Sequence, residues 1–295
     1  AMRSLETGLS GWGGDREEPN HSDGELDRRL RTPSPERILS VRTAMVRGRS
    51  DEEIHRISKI DPWFLAKLRR IIEAETRLIK GKSLEQLDAE SLFEAKQLGF
   101  SDRQIAWQTN SDELLVRQRR HQLDVRAIFK TVDTCAAEFA SSTPYHYSTY
   151  ERPLQTLQAD GSLKPLPASC EVSRREGGRK MMILGGGPNR IGQGIEFDYC
   201  CCHASFAGQD QGITTVMVNS NPETVSTDYD TSDSLYFEPL TLEDVLNVIE
   251  AERPDGVVVQ FGGQTPLKLA IPLLRWLDSA EGRATGTSIW GTSPE

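Results

Sequence analysis

The passage from Met181 to Tyr199 limits the fold of this chain more than any other. Met181–Leu184 is a short apolar run. Gly185, Gly186 and Gly187 follow it, and Gly192, Gly194 and Glu196 lead into a helical pattern. A buried strand that ends in a glycine turn and feeds a helix is the ligand-bearing corner of an open α/β sheet. Glycine is needed there to give positive φ, or to let a ligand or neighbouring backbone come close. Two common ligand loops fail on spacing. Gly187 and Gly192 have the four-residue gap of a P-loop, but Gln193 and Gly194 stand where Lys and Ser/Thr are required. Gly185 and Gly187 match the first half of a dinucleotide fingerprint, but Arg190 stands at its third glycine. A tight corner that binds nothing remains open on the residues alone.

Composition narrows the class. Hydrophobic residues make up 37% and charged residues 27% of 295 residues, as in a soluble protein of about two domains. No apolar run approaches the ~20 residues that span a bilayer, and no signal-peptide core is present. The net charge of −9 is uneven. Residues 180–295 hold 6 basic and 16 acidic side chains, net −10; residues 33–130 hold 19 and 15, net +4. An acidic α/β part argues against nucleic acid as a partner. Cys200, Cys201 and Cys202 are consecutive and, on a helix, point three ways, so they cannot form one metal site. With Cys135 and Cys170 they read as small buried hydrophobes in a reducing, cytoplasmic setting.

Along the chain, the glycine-rich, charged residues 1–32 read as exposed and poorly ordered. Residues 33–150 read as a helical bundle. Apolar residues recur at helical spacing from Ile38 to Met45 and from Phe64 to Ile72, Asp61-Pro62 is a helix start, and Ser101 with Gln104 is a capping box. Trp63 and Phe64 are expected in its core, and Arg117–His121 on a solvated helix face. Residues 151–179 read as a linker. Residues 180–295 alternate strands (180–185, 214–219, 234–237, 256–261, 288–290) with helices (193–209, 241–252, 265–278), which implies a parallel, Rossmann-like sheet.

Further strings share one resemblance. Val132–Ala140, Val218–Asp230, Leu235–Pro239 and Gln260–Leu267, in that order around the glycine corner, resemble the large subunit of carbamoyl-phosphate synthetase. The resemblance implies the end of a preceding ATP-grasp domain (1–32), a helical oligomerisation domain (33–150), a linker (151–179) and a pre-ATP-grasp α/β domain (180–295). The chain is expected to be an internal piece of a longer enzyme and inactive alone, with the ATP-grasp domain starting after Gly291-Thr292-Ser293-Pro294. The family joins bicarbonate, glutamine-derived ammonia and two ATP into carbamoyl phosphate for arginine and pyrimidine synthesis. The resemblance also implies ATP with Mg or Mn, bound mostly outside this chain, a glutamine amidotransferase small subunit, and other large subunits as partners.

The resemblance places a tunnel wall at Gly194 and tunnel carboxylates at Glu196 and Glu223, through which unstable carbamate passes shielded from water. On residues alone, Glu196 also fits a first-turn carboxylate favoured by the helix dipole, and Glu223 an exposed turn residue. Asn189, Arg190, Asn219 and Asn221 sit near expected carboxyl ends of strands, and Gly262, Gly263 and Gln264 repeat the glycine-turn pattern at another strand end. No acid–base pair, nucleophile triad or metal cluster stands out. The stretch from Ile271 to Ile289 is longer than the family's usual connection, and residues 11–32 match it poorly. The alternatives are a nicotinamide-dependent oxidoreductase domain and a non-catalytic helical scaffold.

Overall fold

The structure is a computed structural model that describes residues 2–5, 8–152, 154–166, 170–172, 177–186 and 195–294. It forms two compact units, which divide between Arg126 and Ala127; Arg3–Leu5 belong with the second.

The first unit holds α1 (Asp23–Arg31), α2 (Arg37–Val46), α3 (Asp51–Ser58), α4 (Pro62–Ala74), α5 (Ala89–Gln97), α6 (Asp102–Gln108) and α7 (Glu113–Gln122). Residues 8–32 are built into it. Ser22 caps α1, whose Leu26 and Leu30 lie in one core with Val41, Ile54 and Leu65. Trp12 is buried and its indole N–H donates to the Ile38 carbonyl at 2.8 Å. The glycines around Trp12 hid this: Gly13 adopts φ +77°, and a Cβ there would meet the Arg42 side chain. The capping boxes of Ser50 and Ser101 form, and Asp61 caps α4 with Pro62 at its first position.

Two expectations for this unit are overturned. Trp63 and Phe64 are 61% and 57% exposed, packed edge to face against each other with Lys67 over the Trp63 ring. They occupy the first turn of α4, where Leu65 takes the inward direction. Conversely, Arg117 and Arg120 are buried. Arg120 grips the buried Asp102 carboxylate at 2.7 and 2.6 Å, and Lys96 adds a third bond at 3.0 Å. Burial alone would raise the Asp102 pKa, but the Lys96 and Arg120 charges outweigh it and hold the carboxyl well below its usual range. Arg120 is buried here because Asp102 on α6 supplies its counter-charge.

The second unit holds β1 (Ile128–Thr131), β2 (Tyr145–Thr149), β3 (Leu154–Leu157), β4 (Leu163–Leu166), β5 (Lys180–Gly185), α8 (Glu196–Asp210), β6 (Thr214–Asn219), β7 (Ser234–Phe237), α9 (Leu242–Glu252), β8 (Gly256–Val258), α10 (Gln264–Leu267), α11 (Ala270–Leu277), α12 (Ala280–Arg283) and β9 (Ser288–Trp290). Seven strands form one sheet in the order β1-β2-β7-β6-β5-β8-β9, parallel except for the β1–β2 pair. A helical domain followed by a parallel-sheet α/β domain is thus the architecture.

The boundaries differ from those expected. Residues 128–149 belong to the sheet-containing unit rather than to the helical one, and the expected linker carries the β3–β4 hairpin. The expected helix 265–278 is two helices, because Pro272 lacks the N–H needed to continue from α10 and instead sits in the first turn of α11. The strand expected over 256–261 pairs only through Val258, after which the chain turns toward the end of β5.

Candidate functional site

The carboxyl ends of the central strands lie side by side: Gly185 faces Asn219, and Asn219 faces Phe237 in register. The glycines at this edge are explained by close packing. A Cβ on Gly186 would lie 2.0 Å from the Gly262 carbonyl oxygen, and one on Gly262 would lie 2.2 Å from the Leu184 carbonyl oxygen. The end of β5 and the loop after β8 therefore meet main chain to main chain. Gly263 adopts φ +80°, and a Cβ there would touch the Phe197 ring at 3.2 Å. Gln264, exposed, opens α10.

Gly194, Asn189 and Arg190 lie outside the described residues. Glu196 is the exposed first residue of α8, directly after that segment. Asn219 is fully buried and Asn221 partly so, and they work as a ladder. The Asn219 Oδ1 accepts from the Asn221 N–H at 3.0 Å, and the Asn221 Oδ1 accepts from the Glu223 N–H at 2.9 Å. These are Asx turns, in which an amide oxygen takes the N–H two residues on. They leave the Glu223 side chain exposed at the same edge as Glu196.

One residue not singled out in the sequence organises this edge. Asp198 is fully buried on the inner face of α8. Its Oδ2 accepts from the Thr224 hydroxyl at 2.6 Å and the Ser226 N–H at 2.8 Å. Its Oδ1 accepts from the Ser226 hydroxyl at 2.5 Å and the Asn219 amide at 3.5 Å. The signal was present: Asp198, Cys201, Cys202 and Ser205 fall at i, i+3, i+4 and i+7, an inner stripe with a carboxylate at its head. The stripe is small because α8 lies close to the sheet; a Cβ on Gly208 would approach Met181 within 2.7 Å. Burial and the Asp198 charge push the Cys201 thiol up, and the same two causes push Cys202 up to about 11. These cysteines are protonated packing groups.

Beyond β7, Glu238 is buried and accepts from the Ser148 N–H. Burial, then the nearby Asp244 charge, push its carboxyl up to about 8 against the opposing pull of Ser148 and Arg3. Arg3 itself pairs with Asp244 at 2.9 Å. At the opposite edge a polar cleft of about 460 Å³ is lined by the first residues of three strands, Lys180, Thr214 and Ser234, together with His146, Glu171 and Glu252. None of the residues expected from the sequence to form a site lies in it. Lys180 there pairs with Glu252, which also accepts from the Tyr236 hydroxyl. Burial lowers the His146 pKa, so its ring stays neutral near pH 7.

Comparison with known proteins agrees with this architecture. Residues 1–124 match the family described as carbamoyl-phosphate synthetase large chain, oligomerisation domain. Residues 177–295 match the carbamoyl phosphate synthase preATP-grasp domain. Over 295 residues the chain is 55% identical to the carbamoyl phosphate synthase large chain of Synechocystis sp., covering all of this chain and 26% of the relative. It is 51% identical over 300 residues to the chloroplastic arginine-specific large chain of Oryza sativa, covering all of this chain and 24% of that one. Against the large chain of Archaeoglobus fulgidus it is 48% identical over 292 residues, covering 98% of this chain and 25% of the relative. The chain spans about a quarter of the length of these curated relatives. With both domains matched in order, the chain belongs to the carbamoyl phosphate synthase large-chain family.

Proposed function

We propose that this chain works as part of a glutamine-dependent carbamoyl phosphate synthase large chain. The whole enzyme makes carbamoyl phosphate from bicarbonate, glutamine-derived ammonia and two ATP, for arginine and pyrimidine synthesis in the cytoplasm. Its partners are an amidotransferase small subunit and further large chains. Among the described residues no helix is long and apolar enough to cross a membrane. The two family matches in fixed order are the observation that carries the reading.

The role of residues 33–130 is self-association. The sheet unit contributes part of a carbamate passage. Gly194 lines it, Glu196 and Glu223 orient a neutral guest by accepting its hydrogen bonds, and Asn189, Arg190, Asn219, Asn221, Gly262, Gly263 and Gln264 shape the surrounding loops. Nucleotide and Mg or Mn belong to other parts of the enzyme, and this chain alone does not turn over. Its described residues do not fit a phosphate cradle at this edge, because Gly186 and Gly262 are occupied by each other's backbone.

The test replaces the equivalent segment of a full-length relative with this chain and introduces Gly194→Phe. Overall synthesis is expected to fall strongly, while phosphorylation of ADP by carbamoyl phosphate at the second site survives, because that reaction needs no transit between halves. Collapse of both activities would indicate overpacking, which costs about 1–3 kcal/mol. No change in either would remove Gly194 from the passage.

A further inference from the structure

We propose that Asp198 is the positioning residue that sets Glu223 against Glu196, by clamping the loop after β6 to the first turn of α8. The proposal rests on the passage reading of those two glutamates. Glu196 lies two residues before Asp198 on α8, and Glu223 immediately precedes Thr224, whose hydroxyl Asp198 holds at 2.6 Å. One buried carboxylate thus stands next to both segments that carry the passage acids.

The chemistry of the clamp is one-sided. An ionised carboxylate only accepts hydrogen bonds, and every group facing Asp198 in this cluster can donate: two hydroxyls, one backbone N–H and one amide. Bonds from backbone N–H and hydroxyl groups to a charged acceptor are short and strong. The loop it holds needs such support, because residues 220–227 pair with no strand. Their register is held by the Asn219–Asn221 ladder, by Asp198, and by Thr224 and Thr227 closing on each other at 3.3 and 2.7 Å. Asn219 belongs to both systems, since its amide also donates to the Ser226 hydroxyl at 2.9 Å. Gly185 lies beneath it, where a Cβ would come within 2.9 Å of the Asn219 amide nitrogen. The end of β6, the loop after it and the start of α8 are therefore tied to one carboxylate, with the end of β5 packed against Asn219.

Asp198→Asn keeps the shape but turns one acceptor into a donor facing donors. In this chain, hydrogen exchange at the amides of 221–227 is expected to quicken at least tenfold, while 180–185 and 214–219 keep their protection. In a full-length relative carrying this segment, with its small subunit, ATP consumed per carbamoyl phosphate formed is expected to rise several-fold. The reverse reaction at the second site should be retained. A merely structural loss would lower all activities together without changing that ratio. Glu223→Gln in the same enzyme separates the two ideas. If it leaves synthesis and the ratio unchanged, the passage reading fails, while the exchange experiment still judges the clamp. Unchanged exchange at 221–227 in Asp198→Asn, or loss of protection throughout the sheet, overturns the clamp.

Discussion

Glu238 shows how far one side chain can depart from its surface behaviour. Its carboxyl is buried near Asp244 and is pushed from its ordinary value of 4.5 up to about 8. Between those two pH values the folded unit holds a proton that the unfolded chain has released. Its stabilising contribution is complete below about pH 4.5 and is lost as pH rises through about 8. Glu238→Gln keeps an acceptor for the Ser148 N–H and removes the titration. The urea midpoint of the variant is expected to decline less between pH 5 and pH 8, with a gain on the order of 1–3 kcal/mol over the native chain at the upper end. Parallel profiles for the two proteins would mean that Glu238 ionises like an exposed glutamate. Asp102 departs in the opposite direction, because two cations outweigh its burial. A sequence lists such charges without their neighbours, so Arg117–His121 read as a wet helix face until α6 was placed beside it.

At the scale of elements, periodicity carried most of the information. The strands at 180–185, 214–219, 234–237 and 288–290 form with the expected bounds, since each is an apolar run closed by turn residues. β1 and β2 were less legible, because Ile128–Thr131 and Tyr145–Thr149 are mostly half-buried at the sheet's edge and carry no long apolar run. Glycine at 185 and 186 was legible as a requirement, but the causes, the Asn219 side chain against Gly185 and the Gly262 backbone against Gly186, needed β6 and the loop after β8 in place. The second cause makes a prediction for the packing of the two elements. Gly262→Ala would set a methyl 2.2 Å from the Leu184 carbonyl oxygen and 2.7 Å from the Gly186 nitrogen, with no flexible side chain to yield. A loss of about 2–4 kcal/mol in unfolding free energy is expected from urea titration. Gly24→Ala in α1 has open space around the new methyl, and is expected to be neutral or to stabilise by up to about 1 kcal/mol. Equal effects of the two substitutions would refute the close contact.

For the molecule as a whole, the division into a helical and a sheet unit was legible, but its position was not. The helical pattern fades after Gln122, and nothing local marks Ala127 as the start of another core. The helical unit leaves Trp63, Phe64, Trp107 and Leu115 half exposed or more, and large exposed apolar side chains favour association. Sedimentation velocity over a concentration series is therefore expected to show the chain moving to higher mass. A single monomer at the highest concentration would count against a self-association role. The buried Lys96–Asp102–Arg120 cluster gives the same unit a distinctive response to warming. Hydration of ions becomes less favourable as temperature rises, so the cost of hiding three of them shrinks in heat. Apolar burial gains no comparable advantage over that range. The cluster therefore costs least where heat strains the rest of the fold most.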